Sequence, residues 1–455
     1  RFYGHHEIEL FGMRPGLDRM QALLARLGHP EREWVAIHVA GTNGKGSVVA
    51  MVASILQQAG FGRVGRYTSP HLLCFNERIC IDGAPIADEA LLPLLEAVEA
   101  AADAVAAAEG VEPTFFECAT AAAFEHYRRE GVRIAVIETG LGGRLDATNV
   151  LLPVVSVITR IGLEHCEVLG RTLDAVAGEK AGIIKPGRPV VAAAMDSLAL
   201  DRIAAVAREQ NARLIRADQA VSVAVRRQGL DGLQADIATE QRGLGLVHLP
   251  LAGTFQAENL AVAVAAVETF ARAAGLDIAD AAFKQGLAAV CWPGRFHLVR
   301  RAPRVLVDGA HNPDAARRLR EALRHARVKG PVALVAGFCD DKDVDGILKI
   351  LAGCARRGWA VLTPSARSLP AATTAAAMGR AGLSAEASPS LEAALAAAEA
   401  WARGEGGLVV VCGSLFLAGA ALRHYDAFPW PVPRTGDPNE QLKAGAEHKE
   451  QEHDR

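Results

Sequence analysis

The clearest chemical signal in the sequence is a glycine-rich turn at residues 41–47, which reads GTNGKGS. It lies between an apolar run at 34–39 and an apolar stretch of helical spacing at 47–59. A strand, a glycine-rich turn and a helix N-terminus together form an anion site, because backbone N–H groups and the helix dipole point at the ligand. We therefore predict a phosphate-binding loop in which Lys45 contacts the β- and γ-phosphates and Ser47 holds Mg²⁺.

Two further polar segments follow predicted strands in the first half of the chain. Glu138 opens a second glycine-rich stretch, residues 138–149, directly after the apolar run 134–137. A carboxylate at the carboxyl end of a strand, in a sheet that carries a phosphate loop, suits a Mg²⁺ ligand. A plain turn with a surface acid is the alternative. His165 follows the apolar run 154–158 and is either a ligand or a structural histidine.

The second half of the chain carries two motifs, WPGR at 292–295 and VDGAHNP at 307–313. A strand that ends in Asp308, followed by a glycine turn and a helix start, indicates a ligand-facing edge of an α/β sheet. A helix cap followed by proline in the first turn explains the second motif equally well on local grounds.

The elements that position these residues follow from an alternation of short apolar runs with longer alanine-rich stretches. Continuous β-branched runs, such as 332–335 and 408–411, suit strands that are buried on both faces of a parallel sheet. The alternation therefore predicts an α/β fold with a mostly parallel sheet. Residues 221–249 instead alternate apolar and polar side chains between glycine turns, which predicts an antiparallel patch.

Length and composition bound the class of protein. A length of 455 residues allows two large domains or three ordinary ones. The residues are 50% apolar and 22% charged, which is the balance of a globular protein. A net charge of −3 argues against binding nucleic acid through bulk charge, so we expect no nucleic-acid partner.

The location of the protein is predicted from its apolar runs and its cysteines. The longest uncharged run, residues 406–422, is shorter than the roughly 20 residues of a membrane helix, and the first residues lack a signal-peptide layout. The eight cysteines form no C-x-x-C pair and indicate a reducing compartment. We therefore predict a cytoplasmic protein that does not contact a membrane.

Ten segments occur in an order that resembles the folylpolyglutamate synthase/dihydrofolate synthase family of the Mur ligase superfamily. They are HVAGTNGKGS, TSPHL, FNERI, TFFE, IETGLGGRLDATN, LEH, GEKAGIIKPG, WPGR, DGAHNP and GSLFLAG. The resemblance implies a P-loop domain over residues 1–295, a smaller Rossmann-like domain over 296–430, and ATP between them. The polar residues 431–455 are predicted to form a disordered tail.

The resemblance also implies a reaction. ATP phosphorylates a substrate carboxylate, and the amine of L-glutamate displaces phosphate from the acyl phosphate to form an amide. The acceptor is dihydropteroate, the glutamate tail of a folate, or both. Residues 12–19 match the place where dihydropteroate contacts begin in the family, which favours a bifunctional enzyme. The family also implies a monomer.

Site residues are carried over from the family position by position. ATP contacts correspond to Asn43, Gly44, Lys45, Gly46, Ser47, Asn259, Arg295 and Asp308. The family's Mg²⁺ ligands correspond to Ser69, Glu138 and His165, which join Ser47, predicted above from the loop. The pterin-side pocket corresponds to Phe116, Glu117, Leu145, Asp146 and Ala147. Lys180 corresponds to a lysine that is carbamylated in the family and supports a second Mg²⁺.

The catalytic group implied by the resemblance is Lys45, Lys180, His165 and Arg295. Transfer of a phosphoryl group requires charge neutralisation and positioning more than a protein nucleophile. Arg295 lies at the predicted domain boundary, so we expect it to reach the phosphates when the domains close and exclude water. One departure concerns the adenine motif, in which Phe255 stands where the family usually has histidine.

Four alternatives remain open from the sequence. A folylpolyglutamate synthase without dihydrofolate synthase activity would carry the same motifs. A cell-wall Mur ligase would normally have a nucleotide-sugar domain before the phosphate loop, which here begins at residue 41. A P-loop switch or motor would hydrolyse nucleotide without an acceptor. A catalytically inactive binding protein would have no need of Lys45, Glu138, His165 and Lys180.

Overall fold

The computed structural model describes residues 16–328 and 330–431. The predicted tail, apart from residue 431, and the first four residues of the predicted acceptor-contacting segment 12–19 lie outside the described residues. The described chain contains sheets of eight, three and six strands.

The eight-stranded sheet forms the larger part of the molecule. Its strands are β1 Val35–Ala40, β2 Val64–Tyr67, β3 Ile79–Ile81, β4 Ala84–Pro85, β5 Ile134–Glu138, β6 Val155–Ile158, β7 Val190–Ala192 and β8 Leu214–Arg216. They follow the order β4-β3-β2-β5-β1-β6-β7-β8, in which only the pairs of β3 with β2 and β4 are antiparallel.

Helices cover this sheet, as expected for parallel strands joined by crossovers. They are α1 Asp18–Arg26, α2 Lys45–Gln58, α3 Asp88–Glu109, α4 Phe115–Arg129, α5 Cys166–Leu169, α6 Leu173–Ala181, α7 Ser197–Glu209, α8 Ala217–Ala220, α9 Phe255–Ala274 and α10 Asp280–Ala289. Between α8 and α9 lies the antiparallel three-stranded sheet of β9 Val221–Gly229, β10 Gly232–Thr239 and β11 Gly243–Leu249, so the predicted antiparallel patch is confirmed.

Helix α2 fixes the position of the glycine-rich turn. It is apolar on nearly every side, which is typical of a helix enclosed in a core, and most of its residues are buried. It packs against α9 and α10 on one side and against β2 and β5 on the other. The residue before it, Gly44, has a φ of 92°, a left-handed conformation that costs glycine little.

The six-stranded sheet begins at His297. Its strands are β12 His297–Arg301, β13 Arg304–Val307, β14 Val332–Ala336, β15 Ala355–Ala360, β16 Ser384–Ala387 and β17 Leu408–Cys412. The helices are α11 Pro313–His325, α12 Val344–Leu351, α13 Ala371–Arg380, α14 Leu391–Glu405 and α15 Leu415–His424. The order is β12-β13-β17-β14-β15-β16, and only the pair β12–β13 is antiparallel.

The predicted fold class is confirmed, because two mostly parallel sheets with crossover helices follow one another along the chain. The division into domains 1–295 and 296–430 stays a prediction. None of the helices within 16–328 and 330–431 has both the length and the apolar character that crossing a bilayer requires.

Candidate active site

A cavity of about 370 Å³ lies where the carboxyl ends of strands from both parallel sheets meet. The segments after β1, β5 and β6 line it from the eight-stranded sheet, and the segments after β13 and β17 line it from the six-stranded sheet. Parallel α/β sheets bind ligands at this edge, because the connections that leave the carboxyl ends of the strands are free to contact them.

Most of the predicted site residues border this cavity. They are Asn43, Gly44, Lys45, Gly46, Ser47, Ser69, Phe116, Glu138, His165, Asn259, Arg295 and Asp308. The structure therefore brings together residues from both halves of the chain that the sequence analysis assigned to ATP and Mg²⁺, with Phe116 of the predicted pterin-side pocket beside them. The predicted residues that do not border it are Lys180, Glu117, Leu145, Asp146 and Ala147.

The phosphate loop is shaped by close packing around its glycines. A Cβ on Gly44 would overlap the amide oxygen of Asn259, so glycine at this position lets the Asn259 side chain lie against the loop. The ammonium group of Lys45 folds back and donates to the carbonyl oxygens of Gly41 at 3.1 Å and Thr42 at 3.3 Å. Among the described residues, the hydrogen bonds of Lys45 go to backbone oxygens, and its ammonium group is positioned to turn towards an anion in the loop.

Lys180 lies beneath the same loop. Its side chain is buried and donates to the carbonyl oxygen of Gly41 over 2.8 Å. Burial and, after it, the nearby charge of Lys45 together lower the pKa of Lys180 to about 7. Near neutral pH this amine is therefore neutral in a substantial share of the molecules.

Glu138 ends β5 at the cavity wall and is only 4% exposed. Burial raises its pKa to about 7, although Lys45, Arg295 and a hydrogen bond from the Ser69 backbone each lower it. Because this buried carboxylate is poorly hydrated, a nearby cation would stabilise its charged form.

The histidine and acid that follow β6 also face the cavity. His165 has a φ of 50° and precedes α5, and burial lowers its pKa, so its imidazole is neutral at neutral pH. Its neighbour Glu164 accepts a hydrogen bond from the Asn312 side chain at 3.2 Å. The cations around Glu164, Lys45 first, more than offset its burial and lower its pKa, so this carboxylate is ionised.

These groups fit a Mg²⁺ site. The predicted donors Ser47, Ser69 and Glu138 offer oxygen atoms, which Mg²⁺ prefers, and the neutral imidazole of His165 offers a lone pair. Within 16–328 and 330–431, no three acidic, histidine or cysteine side chains form a metal-binding group by themselves. The predicted set needs no such triad, because half of its ligands are serine hydroxyls.

Arg295 and Asp308 both border the cavity, close enough for the charge of Arg295 to act on the Asp308 carboxylate. The carboxylate of Asp308 accepts backbone hydrogen bonds from Phe296 at 2.7 Å and from Ala310 at 2.8 Å. Burial raises the pKa of Asp308, and the charge of Arg295 lowers it. Asp308 thereby joins the start of the six-stranded sheet to the DGAHNP turn and still borders the cavity.

The predicted pterin-side residues are divided by the structure. Phe116 borders the cavity, whereas the carboxylate of Glu117 accepts from the Thr114 backbone at 2.6 Å and pairs with Arg19 at 3.0 Å. Asp146 is buried and accepts from the backbone of Leu141 at 2.8 Å, which shapes the turn after β5.

Two further pterin-side predictions lie away from the cavity. Ala147 belongs to the core beside the first sheet, and Leu145 is partly exposed. Contact of Glu117, Leu145, Asp146 and Ala147 with a substrate stays a prediction, since the cavity wall does not include them.

Several further cavity residues were given no site role from the sequence. They are Glu164, Phe255, Trp292, His311, Arg318, Lys342, Arg367 and Ser414. Glu164 and His311 stand inside recognised motifs and follow strand ends, which was a usable signal. Lys342 and Arg367 stand outside every motif. Phe255 is the residue that departs from the family's adenine motif. The guanidinium carbon of Arg318 lies 6.0 Å from the centroid of its ring.

Known proteins resemble this chain over most of its length. Residues 39–267 match the Mur ligase middle domain, and residues 294–415 match the Mur ligase glutamate ligase domain. The dihydrofolate synthase/folylpolyglutamate synthase of Bacillus subtilis is 40% identical over 343 residues, covering 75% of this chain and 79% of that protein.

Solved structures agree with these matches. Mycobacterium tuberculosis folylpolyglutamate synthase, complexed with ADP and AMPPCP, is 34% identical with a TM-score of 0.83, covering 92% of this chain and 97% of that one. A folylpolyglutamate synthase complex with AMPPCP and folate is 34% identical with a TM-score of 0.78, covering 89% and 93%. The chain is therefore a member of the folylpolyglutamate synthase/dihydrofolate synthase family of Mur ligases.

Proposed function

We propose that this protein is an ATP-dependent ligase that joins L-glutamate to the carboxylate of dihydropteroate and of folates. The observation that carries the proposal is the single cavity bordered by Lys45, Glu138 and Arg295. These residues come from a phosphate loop, a strand end and the connection between the two parallel sheets. Relatives named dihydrofolate synthase/folylpolyglutamate synthase support dihydropteroate and folates as the acceptors.

The first step transfers a phosphoryl group. The substrate carboxylate attacks the γ-phosphorus of ATP, the bond to the bridging oxygen breaks, and ADP leaves. The phosphate loop and Lys45 hold the β- and γ-phosphates, and Arg295 adds positive charge from the connection between the two parallel sheets. The chain supplies position and charge, and no protein nucleophile is required.

The second step forms the amide. The amine of L-glutamate attacks the acyl carbon, phosphate leaves, and the nitrogen loses a proton. The acyl phosphate is prone to hydrolysis, so the enclosing walls of the cavity matter for yield as well as for rate. The ionised Glu164 borders the cavity and is a candidate to accept that proton directly or through water.

Mg²⁺ belongs to the same proposal. Ser47, Ser69, Glu138 and His165 would hold one ion, and a carbamylated Lys180 would support a second. Bound there, Mg²⁺ supplies neutralisation of the negative charge on the transferred phosphoryl group. The buried Lys180 supports the carbamylation, since its lowered pKa leaves a neutral amine able to react with CO₂. The monomeric state and the cytoplasmic location stay predictions.

Phosphate release from Mg·ATP with L-glutamate tests the function. Separate reactions contain dihydropteroate, tetrahydrofolate or no acceptor, and mass spectrometry follows the glutamylated product. Release that requires an acceptor supports the ligase, and the acceptor that works separates a bifunctional enzyme from a folylpolyglutamate synthase.

The matched variants in this assay are Lys45→Met and Lys284→Met. Lys284 lies exposed on α10, outside the cavity wall. We expect the first change to lower kcat by about 100-fold or more and the second to leave it unchanged. Equal release without an acceptor would favour a hydrolytic P-loop protein, and no release with any acceptor would contradict the proposal.

A further inference from the structure

The connection between α10 and β12 passes along the phosphate loop. It contains Trp292, whose ring lies so close to Gly46 that a Cβ on this glycine would overlap it. Gly46 stands between Lys45 and Ser47, the two side chains assigned to phosphate and Mg²⁺. The absence of a side chain at residue 46 therefore lets an aromatic ring from the connection rest on the loop backbone.

A second contact ties the same ring to the eight-stranded sheet. The guanidinium carbon of Arg66, on β2, lies 5.4 Å from the centroid of the Trp292 ring, within range of a cation–π interaction. Arg66 is itself buried and donates to the sulfur of Cys80 on β3 at 3.1 Å. Trp292, the first residue of the WPGR motif, is thus held by the phosphate loop and the neighbouring strand β2.

The other end of the motif is held by the six-stranded sheet. Gly309 donates its backbone N–H to the Gly294 carbonyl at 2.9 Å, next to the Phe296–Asp308 hydrogen bond. A Cβ on Gly309 would lie 2.8 Å from Nη1 of Arg295, so the guanidinium rests on the turn after β13.

We propose that Trp292 is a positioning residue for the reaction, which sets the distance between the phosphate loop and Arg295. The connection is held on the loop at Trp292 and on the second sheet from Gly294 onward, so Pro293 is the one residue between the two contacts. Any shift of the ring on Gly46 is passed within three residues to the charge that faces the phosphates. This inference rests on the proposed role of Arg295 in that reaction.

A double-mutant cycle tests the inference. The rate of acceptor-dependent phosphate release is measured at saturating substrates for wild type, Trp292→Leu, Arg295→Ala and the double variant. A misplacement of about 1 Å in a positioned group costs up to roughly 100-fold in rate, so we expect Trp292→Leu to lower kcat by about tenfold to 100-fold. Trp292→Phe keeps an aromatic ring and recovers most of the lost rate.

The decisive result is the coupling between the two residues. If Trp292 acts through Arg295, Trp292→Leu lowers kcat by less than about threefold once Arg295 is alanine, because the group it positions is gone. Equal losses in both backgrounds would overturn the inference and would assign Trp292 to packing or to direct nucleotide contact. An unchanged kcat in Arg295→Ala would overturn the role of Arg295 itself.

Trp401→Leu serves as the matched control. Trp401 packs against Trp359 in the second part of the molecule, outside the cavity wall, and its truncation also removes an indole. We expect this variant to lower the thermal midpoint and leave kcat unchanged. If Trp292→Leu unfolds at the assay temperature, all four proteins of the cycle are measured at one temperature below its thermal midpoint, and the coupling there decides the same question.

Discussion

At the scale of single residues, burial changes the chemistry of the groups around the cavity. Glu138 and Lys180 have opposite charges when ionised, yet burial moves the pKa of both to about 7. In each case the cause is lost hydration of the charged form. A cation beside Glu138 therefore stabilises its carboxylate. The neutral amine of Lys180 is open to chemical modification.

Lys180 gives the first prediction. Carbamylation joins the neutral amine to CO₂ and releases a proton, so the activity should depend on dissolved CO₂ at constant pH. We expect enzyme depleted of CO₂ to lose most of its rate and to recover when bicarbonate is added. Lys180→Met should be slow and insensitive to bicarbonate. A wild-type rate that is the same with and without bicarbonate would contradict carbamylation.

His38 gives a prediction about acid stability. This buried histidine on β1 shares a 2.8 Å hydrogen bond with the Thr148 hydroxyl, and burial with the nearby charge of Lys185 lowers its pKa to about 3. The unfolded chain binds a proton at His38 below about pH 6.5, whereas the folded protein resists it down to about pH 3. The free energy of unfolding should therefore fall as the pH falls through this window, by about 1.4 kcal/mol per pH unit at most from this one group.

Urea unfolding at pH 7, 6 and 5 measures this effect. His38→Gln keeps a hydrogen-bonding side chain but cannot take up a proton, so its stability should fall less steeply with acid than that of the wild type. Parallel pH dependences in the two proteins would rule out His38 as a source of acid sensitivity.

At the scale of elements, α4 shows how a residue assigned to the pocket serves its own helix. Thr114 precedes α4 and accepts from the Glu117 backbone at 3.3 Å, while the carboxylate of Glu117 accepts from the Thr114 backbone. This reciprocal pair is a capping box, and it satisfies backbone donors at the helix start. Arg19 of α1 joins the same carboxylate and connects two helices.

Glu117 therefore gives a prediction that separates its two roles. Glu117→Ala removes the cap and leaves Arg19 without this partner, so we expect a loss of about 3 kcal/mol in the free energy of unfolding. Glu117→Gln preserves the capping pattern and should lose less. If Glu117 acts only on α4, the KM for the acceptor stays the same in Glu117→Gln, and a large rise in that KM would support the pocket assignment.

The same scale shows what the sequence could predict. The strand, turn and helix around Lys45 were predictable, because glycine, β-branched residues and apolar periodicity act on neighbours in the chain. The acid at the end of β5 and the turn after β13 followed from the same local logic. The contact of Trp292 with Gly46 and the capping role of Glu117 were not predicted, because side-chain directions and packing partners depend on the folded backbone.

At the scale of the whole molecule, two hydrogen bonds join the sheets across the cavity. The Asn43 amide of the phosphate loop donates to the Asp314 carboxylate on α11 at 2.7 Å, and Asn312 donates to Glu164 at 3.2 Å. Arg318 also donates to Asp314 at 3.2 Å. The start of α11 therefore contacts both the phosphate loop and the segment after β6.

The Asp314 contact leads to a prediction about coupling between the two steps of the reaction. In Asp314→Ala the phosphate loop loses its hydrogen bond to α11, so we expect water to reach the acyl phosphate more often before L-glutamate attacks. The molar ratio of phosphate released to amide formed should rise above that of the wild type. Asp345→Ala is the matched control, because Asp345 lies exposed on α12, pairs with Arg380 and does not border the cavity. A ratio that stays the same in Asp314→Ala would mean that enclosure by this contact does not protect the intermediate.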